Sequence, residues 1–152
     1  MMAKTHIIFG VLLTFTAAKL GVIDYNIYTI ASGGLGSLLP DIDHPKSVVG
    51  SRLWFISYPI SKVFGHRGIT HSLFAVALMI WVIGWNHTPW FAALAIGYLS
   101  HLIGDAMTPS GVPILYPSKK RYRFPIGFST NSIAEDVFAV ILLFVTGWMM
   151  FS

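Results

Sequence analysis

Apolar residues in this chain fall in five long stretches separated by polar and Gly/Pro punctuation, and their length predicts helices. The stretches cover residues 4–20, 27–40, 70–85, 89–107 and 133–151. None is the clean run of about 18 apolar residues that marks a simple span, but each approaches it when its polar ends are counted. A single-chain barrel would instead show alternating segments of about ten residues. The second stretch is short and carries Gly33, Gly34 and Gly36, so it is expected to tilt, break or pack closely on a neighbour. Between the second and third stretches, residues 47–64 mix Trp54, Phe55, Ile56 and Tyr58 with Arg52 and Lys62, the composition of an interfacial or re-entrant segment. Residues 108–130 are rich in Pro, Gly and Tyr and read as a long loop, which is unusual unless functional. The first stretch has a rival reading, because Lys4, an apolar run and Ala17-Ala18 resemble a secretory signal peptide. Against that, His6 interrupts the start of the run.

Composition decides the solvent. Of 152 residues, 55% are hydrophobic and 11% charged, and the mean hydropathy is +0.68. A soluble domain carries about 25% charged residues, and disorder needs low hydrophobicity with high net charge. Zero cysteine excludes disulfides and thiolate metal sites and gives no redox address. The expected fold is therefore all-α, one integral-membrane domain over residues 1–152. It is a polytopic membrane helix bundle of about five transmembrane helices plus the interfacial or re-entrant segment.

The charges then become informative through their placement. With five antiparallel spans, the N-terminus, residues 41–69 and residues 106–132 share one face. That face holds Lys4, Lys46, Arg52, Lys62, Arg67, Lys119, Lys120, Arg121 and Arg123, against Lys19 alone on the other. The asymmetry makes the crowded face cytoplasmic and puts Ser152 outside. Cations recruited to bind an anionic substrate would bias the same count. The chain has six His and six Asp or Glu. Asp24 and His87 lie at short turns on the sparse face and are given no role. The other ten gather at His6, at Asp41-Ile42-Asp43-His44, at His66 and His71, at His101 and Asp105, and at Glu135-Asp136. Each group sits at a helix end on the crowded face, so one polar site is expected at one end of the bundle.

The spacings suit metal ligation. Asp41 and Asp43 follow a Pro as the chain leaves its helix, and His101 and Asp105, four apart, share a helical face. Neutral imidazole and carboxylate suit zinc, manganese or iron, with a position left open for water. The candidate ligands exceed what one tetrahedral ion needs, so some orient others or two ions lie about 3.5–4 Å apart. Each motif also has a plainer explanation. The Asp-x-Asp-His turn can satisfy helix-end backbone donors, and Thr70 can be a helix N-cap beside interfacial histidines. An Asp four residues after a His can simply orient it. Glu135 and Asp136 suit a helix N-terminus capped by Thr130, Asn131 or Ser132. The basic run from Lys119 to Arg123 can be topogenic, can meet anionic headgroups or a phosphate substrate, or with its Tyr122 can suit nucleic acid. Five short spans leave no separate domain for nucleic acid, which is not expected as a partner.

Taken together, Leu39-Pro40-Asp41-Ile42-Asp43-His44-Pro45, His66-Arg67-Gly68-Ile69-Thr70-His71-Ser72, His101-Leu102-Ile103-Gly104-Asp105 and the following Thr108-Pro109-Ser110-Gly111-Val112-Pro113-Ile114-Leu115-Tyr116-Pro117 resemble the YdjM-like family. That family comprises small bacterial and archaeal inner-membrane proteins described as predicted membrane-bound, metal-dependent hydrolases, one of them LexA-regulated. The resemblance runs from His6 to Glu135, and the early His and the Glu opening the last helix belong to the family pattern. Membrane phosphatases of the phosphatidic-acid type are excluded, since their Lys-x6-Arg-Pro motif is missing and Val112 stands where their Pro-Ser-Gly-His motif needs His.

The expected function is an integral-membrane hydrolase whose metal ion or ions, zinc before manganese or iron, activate water at the cytoplasmic interface. Its expected ligands or orienters are His6, Asp41, Asp43, His44, His66, His71, His101 and Asp105. Glu135 is the candidate general base and Arg67 the stabiliser of negative charge. A lipid bilayer is the partner, and a phosphoester or ester of a lipid-like molecule the expected substrate. The alternative uses the same ligands in a metal-binding or metal-transport protein without chemistry. A third reading is a membrane adaptor, in which alanine at Asp41 or His66 leaves metal content unchanged.

Overall fold

The computed structural model describes residues 1–86, 88–125 and 127–151. His87 and Ser152, assigned above to a short turn and to the outer face, lie outside the described residues. The described residues form six α-helices: α1 (Ala3–Lys19), α2 (Ile27–Gly36), α3 (Trp54–Phe64), α4 (Leu73–Asn86), α5 (Pro89–Ala106) and α6 (Ile133–Phe151). Two 3-10 turns, Leu39–Asp43 and Ile69–His71, precede α3 and α4. No strand occurs among the described residues, and the 108–130 loop carries a single antiparallel bridge between Val112 and Tyr122.

The helix ends follow local chemistry. Asn26 and Thr29 form a reciprocal capping box that starts α2. Pro89, whose missing N–H costs nothing there, opens α5. The Ser132 hydroxyl accepts from the Glu135 amide at 3.3 Å and starts α6. The second apolar stretch breaks at Gly36, where the chain passes through Ser37 and Leu38 into the turn Leu39–Asp43. Thr70 does not cap α4, because its hydroxyl is committed to Asp43. α4 starts only at Leu73.

α1, α2 and α5 pack mutually, α6 lies along α1, and α4 along α5. The α2–α5 contact is backbone to backbone. A Cβ added at Gly97 would stand 1.9 Å from the Gly33 carbonyl oxygen, and one at Gly36 would stand 2.1 Å from that of Leu94. Small residues permit this approach, which substitutes for apolar side-chain burial where lipid is the solvent.

α4 and α6 present a different surface. Phe74, Trp81 and Trp85 on α4 and Val140, Phe144 and Trp148 on α6 are all more than 60% exposed. Contiguous apolar exteriors of this kind belong to membrane or protein contacts. By length and composition one described helix, Ile133–Phe151, suffices to cross a membrane, and Leu73–Trp85 is a shorter apolar stretch. The expectation of about five crossings is thus met on that criterion by one helix, because the packed helices α1 and α2 are 17 and 10 residues long.

Candidate metal centre

The ends of α1 and α5, the beginning of α6 and both 3-10 turns meet at one end of the bundle. The Met1 amino nitrogen lies 2.6 Å from Asp105 Oδ1, and Lys4 pairs with Asp136 at 2.7 Å. His66 meets Asp43 at 3.0 Å, and Arg67 meets Asp105 at 2.7 Å. His6, Asp43, His71, His101, Asp105 and Glu135 are essentially inaccessible there. Six ionisable side chains buried together are costly unless each is paired or holds an ion.

His101 fixes the chemistry of the centre. Its Nδ1 lies 2.6 Å from the Ser37 carbonyl oxygen, which can only accept, so Nδ1 carries the proton and Nε2 presents a lone pair. His71 Nδ1 likewise faces an acceptor, Asp43 Oδ2, at 3.2 Å. Its Nε2 then stands 3.2 Å from His101 Nε2. Two lone pairs at that separation repel unless a cation or proton lies between them. Asp105 Oδ2 is 3.6 Å from His71 Nε2 and 3.7 Å from His101 Nε2, and Asp41 Oδ1 is 3.7 Å from His101 Nε2. Ligands bound at about 2.0–2.1 Å in a tetrahedron lie roughly 3.3 Å apart, so these spacings fit a transition-metal ion.

Three overlapping groups among the described residues bring their ligand atoms within 4.8 Å of one another: His6, His101 and Asp105; Asp41, His71 and His101; and Asp41, Asp43 and His66. The His6 ring stacks on His101 with centroids 3.7 Å apart, its Nε2 is 3.3 Å from Asp105, and its buried Nδ1 has no hydrogen-bond partner. His44 joins none of the three groups, although its ring lies 4.6 Å from that of His66.

Asp43 is the organiser. Its Oδ1 is met by His66, and its Oδ2 by the Arg67 amide at 2.9 Å, the Thr70 hydroxyl and His71. Burial works to raise its pKa, but the hydrogen bonds from His66, His71 and Thr70 hold the carboxyl well below the usual carboxylate range. A carboxylate behind a ligating imidazole fixes its tautomer and orientation. Arg67 adopts a left-handed backbone (φ 57°), a strained conformation for a non-glycine, and the hydrogen bond its backbone N–H donates to Asp43 Oδ2 helps to hold it there. Its guanidinium reaches Asp105 and the Gly111 carbonyl at 3.3 Å, while its buried Nε has no partner.

Glu135 is engaged elsewhere. Its Oε1 accepts from the Met2 amide at 2.6 Å and its Oε2 from the Asn131 amide at 2.7 Å. It therefore ties the start of α1 to the start of α6, and it belongs to none of the ligand groups found among the described residues. Replacing it by Ala should strand two amides and lower stability by about 3 kcal/mol, read as a fall in the thermal midpoint in detergent, while bound metal per folded chain stays at the wild-type level. Loss of metal from the folded variant would make Glu135 a ligand instead.

Two contributors are not legible as site residues in the sequence. Ser37 acts through its carbonyl, and Tyr98 through a hydrogen bond from its phenol to the Thr70 carbonyl that braces the turn carrying His71. The one pointer is the glycines at 33, 36 and 97, which bring α2 against α5 and so place Ser37 beside His101.

The family model described as YdjM inner membrane protein matches residues 1–152. The chain is 43% identical over 131 residues to Inner membrane protein YdjM of Escherichia coli (strain K12), covering 80% of this chain and 66% of that protein. The same figures hold for Inner membrane protein YdjM of Shigella flexneri, so the chain spans 66% of the length of both relatives. It is also 39% identical over 140 residues to Uncharacterized protein YvsG of Bacillus subtilis (strain 168), covering 90% of this chain and 86% of that one. No solved structure gives a significant match.

Proposed function

This chain belongs to the YdjM inner membrane protein family, and from that premise we propose that it is a membrane-bound, metal-dependent hydrolase with its centre at the cytoplasmic boundary of the inner membrane. The observation that carries the reading is the 3.2 Å approach of His71 Nε2 to His101 Nε2, each ring anchored at its other nitrogen. The bundle crosses the membrane about five times through α1, α2, α4, α5 and α6. The excess of nine cations on the segments read as sharing the site's face supports a cytoplasmic N-terminus.

His71, His101, Asp41 and Asp105 hold the ion, with His6 beside them. Zinc suits this donor set best, and manganese or iron uses the same atoms. A second ion, if the centre is dinuclear, takes Asp41, Asp43 and His66. When bound, such an ion supplies Lewis acidity and lowers the pKa of water to about 7. Asp43 and the Ser37 carbonyl orient the two rings. Arg67, with its positive charge beside Asp105 and an unpartnered Nε, stabilises negative charge on the substrate. Asp41 and His66 are partly exposed and mark the open side through which an ester reaches the centre. A phosphoester or carboxylic ester of a lipid-like molecule suits a site at headgroup depth flanked by cations.

The test is turnover of long- and short-chain phosphoesters and carboxylic esters in mixed micelles before and after chelation. Chelator-sensitive hydrolysis, restored by the metal, is the expected result. Asp43→Asn removes the charge that four donors meet and should weaken metal binding about 10- to 100-fold, measured by competition with a chromogenic chelator. Full metal loading without hydrolysis of any ester would leave a non-catalytic metal-binding protein.

A further inference from the structure

α3 carries an apolar face that no helix covers. Trp54, Phe55, Tyr58 and Val63 are all more than half exposed, Ser57 is the buried residue of the helix, and α3 leans on the turn Leu39–Asp43. At its C-terminal end the Phe64 ring meets Tyr116 edge-on, with centroids 6.4 Å apart. That contact joins α3 to the loop closed by paired backbone hydrogen bonds of 2.9 Å between Val112 and Tyr122. The loop carries the run from Lys119 to Arg123, and Leu115 and Phe124 extend the exposed apolar strip along it.

The charge on this surface is uncompensated. Of the nine cations at this end, Lys4 is paired with Asp136 and Arg67 with Asp105, which leaves seven. Among the described residues none of those seven has a carboxylate within 4.0 Å. The acids that could have answered them are spent. Asp43, Asp105 and Glu135 are buried, Asp41 faces His101, and Asp24 lies at the other end of α2. Instead Arg52, Arg121 and Arg123 donate to the carbonyls of Val48, Ser110 and Pro109 at 2.8, 3.3 and 3.3 Å. Those bonds fix where the guanidinium groups sit without neutralising them. An aromatic strip bordered by fixed, unmatched cations has the chemistry of a headgroup-level surface: Trp and Tyr prefer the boundary between acyl chains and water, and cations answer phosphate.

We infer that α3 and the 112–122 loop form one surface that binds anionic phospholipid headgroups, its aromatic side chains at the acyl boundary and its cations on the lipid phosphates. This goes beyond the metal-centre reading and does not depend on it. Native mass spectrometry of the whole protein, released from micelles holding equimolar phosphatidylglycerol and phosphatidylcholine, reads it directly. Each cation near an anionic surface contributes roughly fivefold, so wild type should retain phosphatidylglycerol over phosphatidylcholine by roughly tenfold or more. Neutralising the loop with Lys119→Gln, Lys120→Gln, Arg121→Gln and Arg123→Gln should lower the ratio at least severalfold, at unchanged helix content by circular dichroism. Lys19→Gln, at the opposite end, should keep the wild-type ratio. Parity in wild type, which would leave an acidic protein partner as the occupant, overturns the inference. So does an undiminished ratio in the fourfold variant, or loss of the preference on adding millimolar inorganic phosphate. No metal enters the readout, so failure here leaves the metal centre standing, and an absent metal leaves the lipid surface standing.

Discussion

His101→Ala should strip the protein of at least roughly nine-tenths of its bound transition metal, measured by elemental analysis of protein purified under metal-replete conditions. The reason is positional. His101 is shared by two of the three ligand groups, and its Nε2 stands opposite that of His71 at 3.2 Å. Its proton is pinned to the Ser37 carbonyl, so the lone pair toward the centre is committed before any ion arrives. His71→Ala should lower the metal content less completely, because it removes one of the three ligand groups and leaves His6, His101 and Asp105 together. His44→Ala is the contrasting case. Its ring neighbours His66 but belongs to none of the groups, so wild-type metal content is expected. Wild-type protein without stoichiometric metal would sink the metal centre outright.

Gly97→Ala should be among the most destabilising methyl additions in the chain. The new Cβ would fall 1.9 Å from the Gly33 carbonyl oxygen and 2.8 Å from the Ser37 amide nitrogen, both backbone atoms that cannot rotate aside. α2 and α5 must separate, at a cost of about 1–3 kcal/mol or more. The separation also carries Ser37 away from His101, so metal affinity should fall together with the thermal midpoint. Gly84→Ala on α4 and Gly147→Ala on α6 are the controls, since nothing lies within 4 Å of a Cβ at either. Without that clash the helix-propensity term remains, and both should be neutral or stabilising by up to about 1 kcal/mol. Equal midpoints for all three variants would show that the α2–α5 contact does not hold the site together.

The pattern of the chain was most legible where the cost of an alternative was highest. α6 occupies the 133–151 stretch read from hydropathy, and α5 departs from its stretch by one residue. Ionisable groups among apolar runs are expensive, so those at His6, Asp43, His71, His101 and Asp105 mark the polar end in the sequence itself. Boundaries set by side chains reaching across the fold were not legible. The third stretch loses its first turn because Thr70 and His71 turn toward Asp43, and the second stops at Gly36 because the chain must bring Asp41 and Asp43 inward.

The sequence alone therefore determined the class of the protein, the end at which its acids and histidines collect, and the residue types offered to an ion. Composition and spacing control those properties, and both are local. Tertiary structure decided the division of labour. Asp43 meets four donors, Glu135 ties two helix starts together, and Asp105 stands between Arg67 and the facing histidines. A carboxylate becomes ligand, orienter or tie according to which atom approaches it from a segment as far as 133 residues away. That approach is set by how closely α2 can lie on α5, a packing distance governed by glycines whose importance no local pattern reveals.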